Sequence, residues 1–120
     1  MYQLRIEINE LPKSLNVALR SSRFRSHRRN KRWDFLVALL CRGKLPAKPL
    51  GKAHVRLTRH FWQTLDYDGL VGSMKPVVDA LVTAGVLIDD RWSVTGPWDV
   101  NQVFRPKKDG ALLTIEIDEA

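Results

Sequence analysis

The segment LDYDGLVGSMKPVVDALVTAGVLIDD, residues 65–90, gathers Asp66, Asp68, Asp79, Asp89 and Asp90 around Lys75. On an extended backbone, side chains two residues apart point the same way, so Asp66 and Asp68 at a strand end would aim two carboxylates at one point. Carboxylates held that close resist joint ionisation unless a cation sits between them. Oxygen donors without histidine or cysteine suit a hard divalent ion, Mg2+ or Mn2+, bound through a few carboxylates, several waters and substrate phosphate. Such an ion lowers the pKa of bound water and neutralises a phosphate under attack. Lys75 would add positive charge near that phosphate. Each residue also has a structural reading. Asp-x-Asp before a helix is a capping and turn element, Asp89-Asp90 reads as a solvated turn, and Lys75 can pair with Asp79 one helical turn on.

The elements that must position these groups are legible from periodicity. Met74, Val77, Val78, Leu81 and Val82 recur at helical spacing, with Ser73 as N-cap, Pro76 in the first turn and Gly85 at the far end. Before them, Ala53, Val55 and Leu57 alternate with His54, Arg56 and Thr58 as a strand leading towards Asp66. The N-terminal YQLRIEI puts Leu4, Ile6 and Ile8 on one face of another strand, ended by Pro12. Trp33, Leu36, Val37, Leu40 and Cys41 mark a first helix, closed by Gly43. DVNQVFRP and ALLTIEI, joined around KKDG, read as a terminal hairpin. The expectation is a single α+β domain over residues 1–120, with a mixed sheet of about four strands, two helices and the rough order βαβαββ.

The net charge of +7 is unevenly distributed. Residues 11–60 hold fourteen Lys or Arg against one acid, Asp34, whereas ten of the thirteen acids stand at or after Asp66. A basic half of this kind fits a polyanionic partner, because displacing phosphate counterions gives affinity that does not depend on base sequence. Arg20, Arg23, Arg25, Arg28, Arg29, Lys31 and Arg32 are the candidate nucleic-acid contacts. The run from Ser14 to Arg32 carries little apolar surface beyond Leu19 and Phe24, and it reads as an arm or loop that an anion would order.

Other residues carry less chemistry. Cys41, inside FLVALLC, reads as a buried thiol. His54 and His60 have no partner at metal-ligand spacing, and His27 lies within the basic run. Tyr67 reads as packed, and Trp92 and Trp98 as core or interface residues, with base stacking as the alternative. No Ser-His-Asp, Walker or dinucleotide signature points to another chemistry or to an organic cofactor. No run approaches the roughly 20 apolar residues of a membrane span, and the alternating N-terminus does not read as a signal peptide. A cytoplasmic protein without a membrane partner is expected.

Taken in order, Asp-x-Asp, Lys, Asp-Ala-Leu, Gly and the closing Asp-Asp of residues 65–90 resemble the core of the RusA-type crossover junction endodeoxyribonucleases, small bacterial and phage enzymes that resolve four-way DNA junctions. The N-terminal strand with LPKSLN, the arginine-rich stretch and the final LLTIEI extend the resemblance more loosely. Gly69 stands where that family usually has Asn. The resemblance implies that Asp66, Asp68 and Asp90 are metal-binding catalytic acids, that Lys75 assists them, and that a homodimer nicks opposing strands. It implies a Mg2+-dependent endonuclease of DNA recombination and repair, acting on Holliday junctions or other branched DNA. A non-catalytic basic nucleic-acid-binding module, and a related nuclease acting on forks, flaps or RNA, are the competing expectations.

Overall fold

The computed structural model describes the backbone of residues 1–13 and 23–120, and the side chains of 1–13 and 30–120. Strand β1 covers Gln3–Ile8, helix α1 Arg23–Leu40, strand β2 Ala53–Phe61, helix α2 Tyr67–Ser73 and helix α3 Lys75–Thr83. A short helix α4, Trp92–Thr95, then strand β3, Asp99–Phe104, and strand β4, Leu112–Glu119, complete the order. These elements make the expected α+β fold: a four-stranded mixed sheet with helices packed against it.

Strict alternation explains why the strands form where they do. Leu4, Ile6 and Ile8 of β1, Ala53, Val55 and Leu57 of β2, and Leu113, Ile115 and Ile117 of β4 are all buried. With a period of two, each strand turns this apolar set towards one layer of helices. Trp33, Val37 and Cys41 of α1 and its end join Met74, Val77, Val78 and Leu81 around α3 in the same core. Cys41 is thus the buried thiol its apolar setting predicts. Helices α1 and α3 pack on one another.

The sheet order is β1-β4-β2-β3, with β4 antiparallel to both β1 and β2 and β3 parallel to β2. The expected terminal hairpin therefore does not form. β4 enters the sheet between β1 and β2, and β3 lies across β2 from it. Apolar content decides the places: LLTIEI buries Leu113, Ile115 and Ile117 and suits the middle, whereas Asp99, Asn101, Val103 and Phe104 leave β3 largely exposed at an edge. The connection between them uses a 3-10 turn at Lys107–Asp109 and Gly110, whose φ of 78° favours glycine.

Two further expectations change. The first helix starts at Arg23, not at Trp33, so the later part of the basic run is helical backbone. RFRSHRRNKR contains no Pro or Gly, arginine and lysine are good helix formers, and extending a helix already packed through Trp33 and Val37 costs little. Residues 14–22, including Arg20, lie outside the described residues. The second change is at Ser73. It ends α2, with its hydroxyl donating to the Leu70 carbonyl at 2.7 Å, and does not cap α3. Met74 takes the cap position of α3, while Pro76 does fall in the first turn and Gly85 turns the chain at φ 91°. Residues 86–88 then run beside Leu50, with Leu50 N–H donating to Val86 and Ile88 N–H donating to Leu50. Among the described residues no helix is long and apolar enough to cross a membrane.

Candidate active site

Strand β2 ends at Phe61, five residues before Asp66, so the Asp-x-Asp pair does not share an extended backbone. Asp66 (φ −67°, ψ 165°) is instead the N-cap of α2, and its Oδ1 accepts the Gly69 N–H at 3.0 Å. Asp68 lies in the first turn of that helix, where a negative charge favours the positive end of the helix dipole. Helical backbone turns positions i and i+2 apart, which removes the alignment expected of an extended strand. The segment before α2 is fixed from the neighbouring sheet edge. The Gln102 amide of β3 closes on Leu65 from both ends, its Oε1 accepting the Leu65 N–H at 3.0 Å and its Nε2 donating to the Leu65 carbonyl at 2.8 Å. Gln102 was not singled out by sequence reasoning, because only the β2–β3 register brings it beside this loop.

The second group of residues does converge. Lys75, the first residue of α3, donates its ammonium to Asp79 Oδ1 at 2.9 Å and to Asp90 Oδ2. Residues fifteen positions apart meet because α3 returns through Gly85 and the 86–88 segment. Above all the hydrogen bond from Lys75 holds the Asp90 carboxyl below the usual carboxylate range, and the same bond raises the Lys75 ammonium above its ordinary range. Asp79 is thus the orienting partner of Lys75. Asp89 serves the turn: its Oδ1 accepts the Asp90 N–H at 2.7 Å, and its Oδ2 pairs with Arg91 Nε at 2.9 Å.

The donor chemistry suits a hard cation in kind. Asp66 keeps Oδ2, and Asp68 both oxygens, without a hydrogen-bond partner among the described residues, and both side chains are exposed. The Lys75 ammonium between Asp79 and Asp90 is itself a cation held by two carboxylates. Among the described residues no three His, Cys, Asp or Glu side chains are grouped closely enough to share one ion as they stand. The acids form two groups, Asp66 with Asp68 at the start of α2, and Asp90 with Asp79 on Lys75.

Of the candidate nucleic-acid contacts, Lys31 is exposed, and Arg32 forks onto Glu10, Nε to Oε2 at 2.6 Å and Nη2 to Oε1 at 2.5 Å. That pair ties α1 to the end of β1 and takes up part of the arginine's donor set. Arg20 and the side chains of Arg23, Arg25, Arg28 and Arg29, like that of His27, lie outside the described ones. Tyr67 is not packed as expected but 75% exposed, because its place in the first turn of α2 faces solvent. Trp98 packs against the core with its Nε1 donating to Thr95 Oγ1 at 3.2 Å, while Trp92 is 73% exposed. His60 Nε2 lies 3.0 Å from Thr114 Oγ1.

No known family model matches the chain, and no curated protein does.

Proposed function

We propose that this protein is a Mg2+-dependent endodeoxyribonuclease of the RusA type that cuts four-way junctions or other branched DNA. The observation that carries the reading is the attachment of Lys75 to both Asp79 and Asp90, which joins in space the Lys, Asp-Ala-Leu and Asp-Asp portions of the ordered motif. The concentration of basic residues before residue 60 supports a phosphate-rich substrate.

In this reading Asp66 and Asp68 at the start of α2, with Asp90 brought to them from its pair with Lys75, would hold the ion. When bound, such an ion would supply water activation and charge neutralisation at the scissile phosphate. The protein's own contribution is positional. Gln102 fixes the backbone of Leu65 beside Asp66, the Gly69 N–H holds the Asp66 carboxylate, Asp79 holds Lys75, and Lys75 favours the ionised form of Asp90. The ammonium of Lys75 then serves a growing negative charge on the phosphate. Basic side chains of residues 20–32 hold duplex arms through their backbones and read branched shape, not base edges. A homodimer presents two such sites to opposing strands.

One observation favours a second reading. Asp66 caps α2, Asp79 and Asp90 pair with Lys75, and Asp89 closes a turn, so most acids of the motif have structural tasks. A non-catalytic nucleic-acid-binding module needs nothing more of them. Labelled four-way junction, fork, flap, duplex and RNA substrates in one gel, with and without Mg2+, separate the readings. The nuclease reading expects Mg2+-dependent nicks in the junction and their loss in Asp68→Asn. Binding without cleavage in every lane, unaffected by Mg2+, establishes the module instead, and cleavage of another substrate in preference to the junction reassigns the substrate.

A further inference from the structure

The inner face of the sheet is apolar row by row until its last full row. Leu4, Ile117 and Val55 stand side by side, then Ile6, Ile115, Leu57 and Val100, and then Ile8, Leu113, Arg59 and Gln102. Arg59 is the charged member of these rows. It is only 7% exposed, and its Nε is enclosed without a hydrogen-bond partner among the described residues.

Among the described residues the neighbours of Arg59 do not compensate it. The Gln102 amide is spent at both ends on Leu65, and Leu113 is apolar. The guanidinium carbon lies 4.5 Å from the centre of the Phe61 ring, which in turn stacks on Trp62 at 3.8 Å. A ring face attracts a cation but accepts none of its in-plane N–H groups. No Asp or Glu occurs between Leu11 and Trp33, so that whole stretch can bring no counter-charge. Burial pushes the guanidinium pKa down, yet an arginine does not give up its proton in a protein. A buried charge is normally paired, and one that is unpaired costs stability. The surroundings add further positive charge, since Lys107 Nζ lies 6.0 Å from the Trp62 ring centre.

We propose that Arg59 is the anion-binding residue of a phosphate subsite at the C-terminal ends of β2 and β3, taking a tetrahedral phosphate oxyanion, free or within a phosphodiester. The planar fork of a guanidinium matches two oxygens of such a group. The site is at the sheet end from which the chain leads through the Gln102-held loop to Asp66, so a phosphate bound there lies at the entrance to the acid-bearing helix. The subsite stands whether or not the protein cleaves DNA, and its test uses no cleavage readout.

The test is the melting temperature of the full chain in EDTA, with inorganic phosphate against sodium chloride at equal ionic strength, and the affinity of a four-way junction under the same conditions. The parent is expected to melt a few degrees higher in phosphate. Arg59→Met, which keeps the stem and removes the buried charge, is expected to melt no lower than the parent in chloride and to lose the phosphate shift. Arg5→Gln, on the opposite face of the sheet, should keep it. Junction affinity falling tenfold or more in Arg59→Met identifies a phosphodiester as the ligand. A lost phosphate shift with unchanged junction affinity identifies free phosphate. Should Arg59→Met fail to fold, the Nε–H resonance of Arg59 in the parent, assigned by its absence from Arg59→Lys, must move on phosphate titration. A phosphate shift retained in Arg59→Met, or an unmoved resonance, overturns the proposal.

Discussion

Asp66 is a helix cap by observation and a metal ligand by proposal. Oδ1 accepts the Gly69 N–H, and Oδ2 has no hydrogen-bond partner among the described residues. A Cβ at residue 69 would stand 2.5 Å from Oδ1, so the end of the Asp66 side chain would have to shift to admit a larger residue there. Structural and functional roles can be separated at Asp66 by chemistry alone. Asparagine caps a helix about as well as aspartate, whereas alanine loses about 0.5–2 kcal/mol. In urea unfolding, Asp66→Asn should therefore match the parent, while Asp66→Ala should be destabilised by that amount. Both should lose Mg2+-dependent cleavage, since neither keeps the charge. Full cleavage by Asp66→Asn would mean that the residue is only a cap.

At the scale of elements, the Lys75 ion pairs fasten the start of α3 to the segment after Leu87, and this link is sensitive to pH. Asp90 is held below its ordinary pKa by Lys75, so its contribution to stability is complete above the unfolded-state value, about 4, and is lost as pH falls through the depressed folded value. Lys75 is raised, so its contribution is complete below the ordinary lysine value, about 10.4, and is lost as pH rises past the higher folded value. The stability difference between the parent and Asp90→Asn should be flat near neutrality and shrink as the pH drops below about 4. A difference that stays constant into strong acid would mean that the ion pair contributes nothing. Elements of this kind were legible where periodicity was strong: Leu4, Ile6 and Ile8, or Met74, Val77, Val78 and Leu81, needed only their spacing. The pairing of β4 with β1 and β2 was not, because KKDG between two short strands signals a turn and says nothing of which strand is most apolar. Nor was the choice between helix start and strand end at Asp66 and Asp68, since a cap and a strand end share the same aspartates. The Lys75–Asp79 contact was readable as an i,i+4 pair, but Asp90 joining it depended on the return through Gly85.

Across the whole molecule, the two faces of the sheet divide the charge. On the outer face Arg5, Glu116, Arg56 and Asp99 stand in one register row across all four strands, alternating in sign, with Arg56 Nε 3.0 Å from Asp99 Oδ2. This surface is compensated, and a polyanion gains little there. The excess of cations belongs to α1 and to the connection that carries Arg42, Lys44, Lys48 and Lys52. Within α1, Arg32 is already forked onto Glu10, which leaves Arg28 and Arg29 as the sharper test of a phosphate-binding face. Each phosphate contact contributes about 0.9 to the slope of log affinity against log salt. Replacing Arg28 and Arg29 together by alanine should therefore weaken junction binding in EDTA and reduce that slope by about 1.8. Arg56→Ala should leave the slope unchanged, although it breaks the pair with Asp99. Anisotropy titrations between roughly 50 and 200 mM salt are sufficient to measure both. Equal slopes for all three proteins would place the nucleic-acid contact on a surface other than α1.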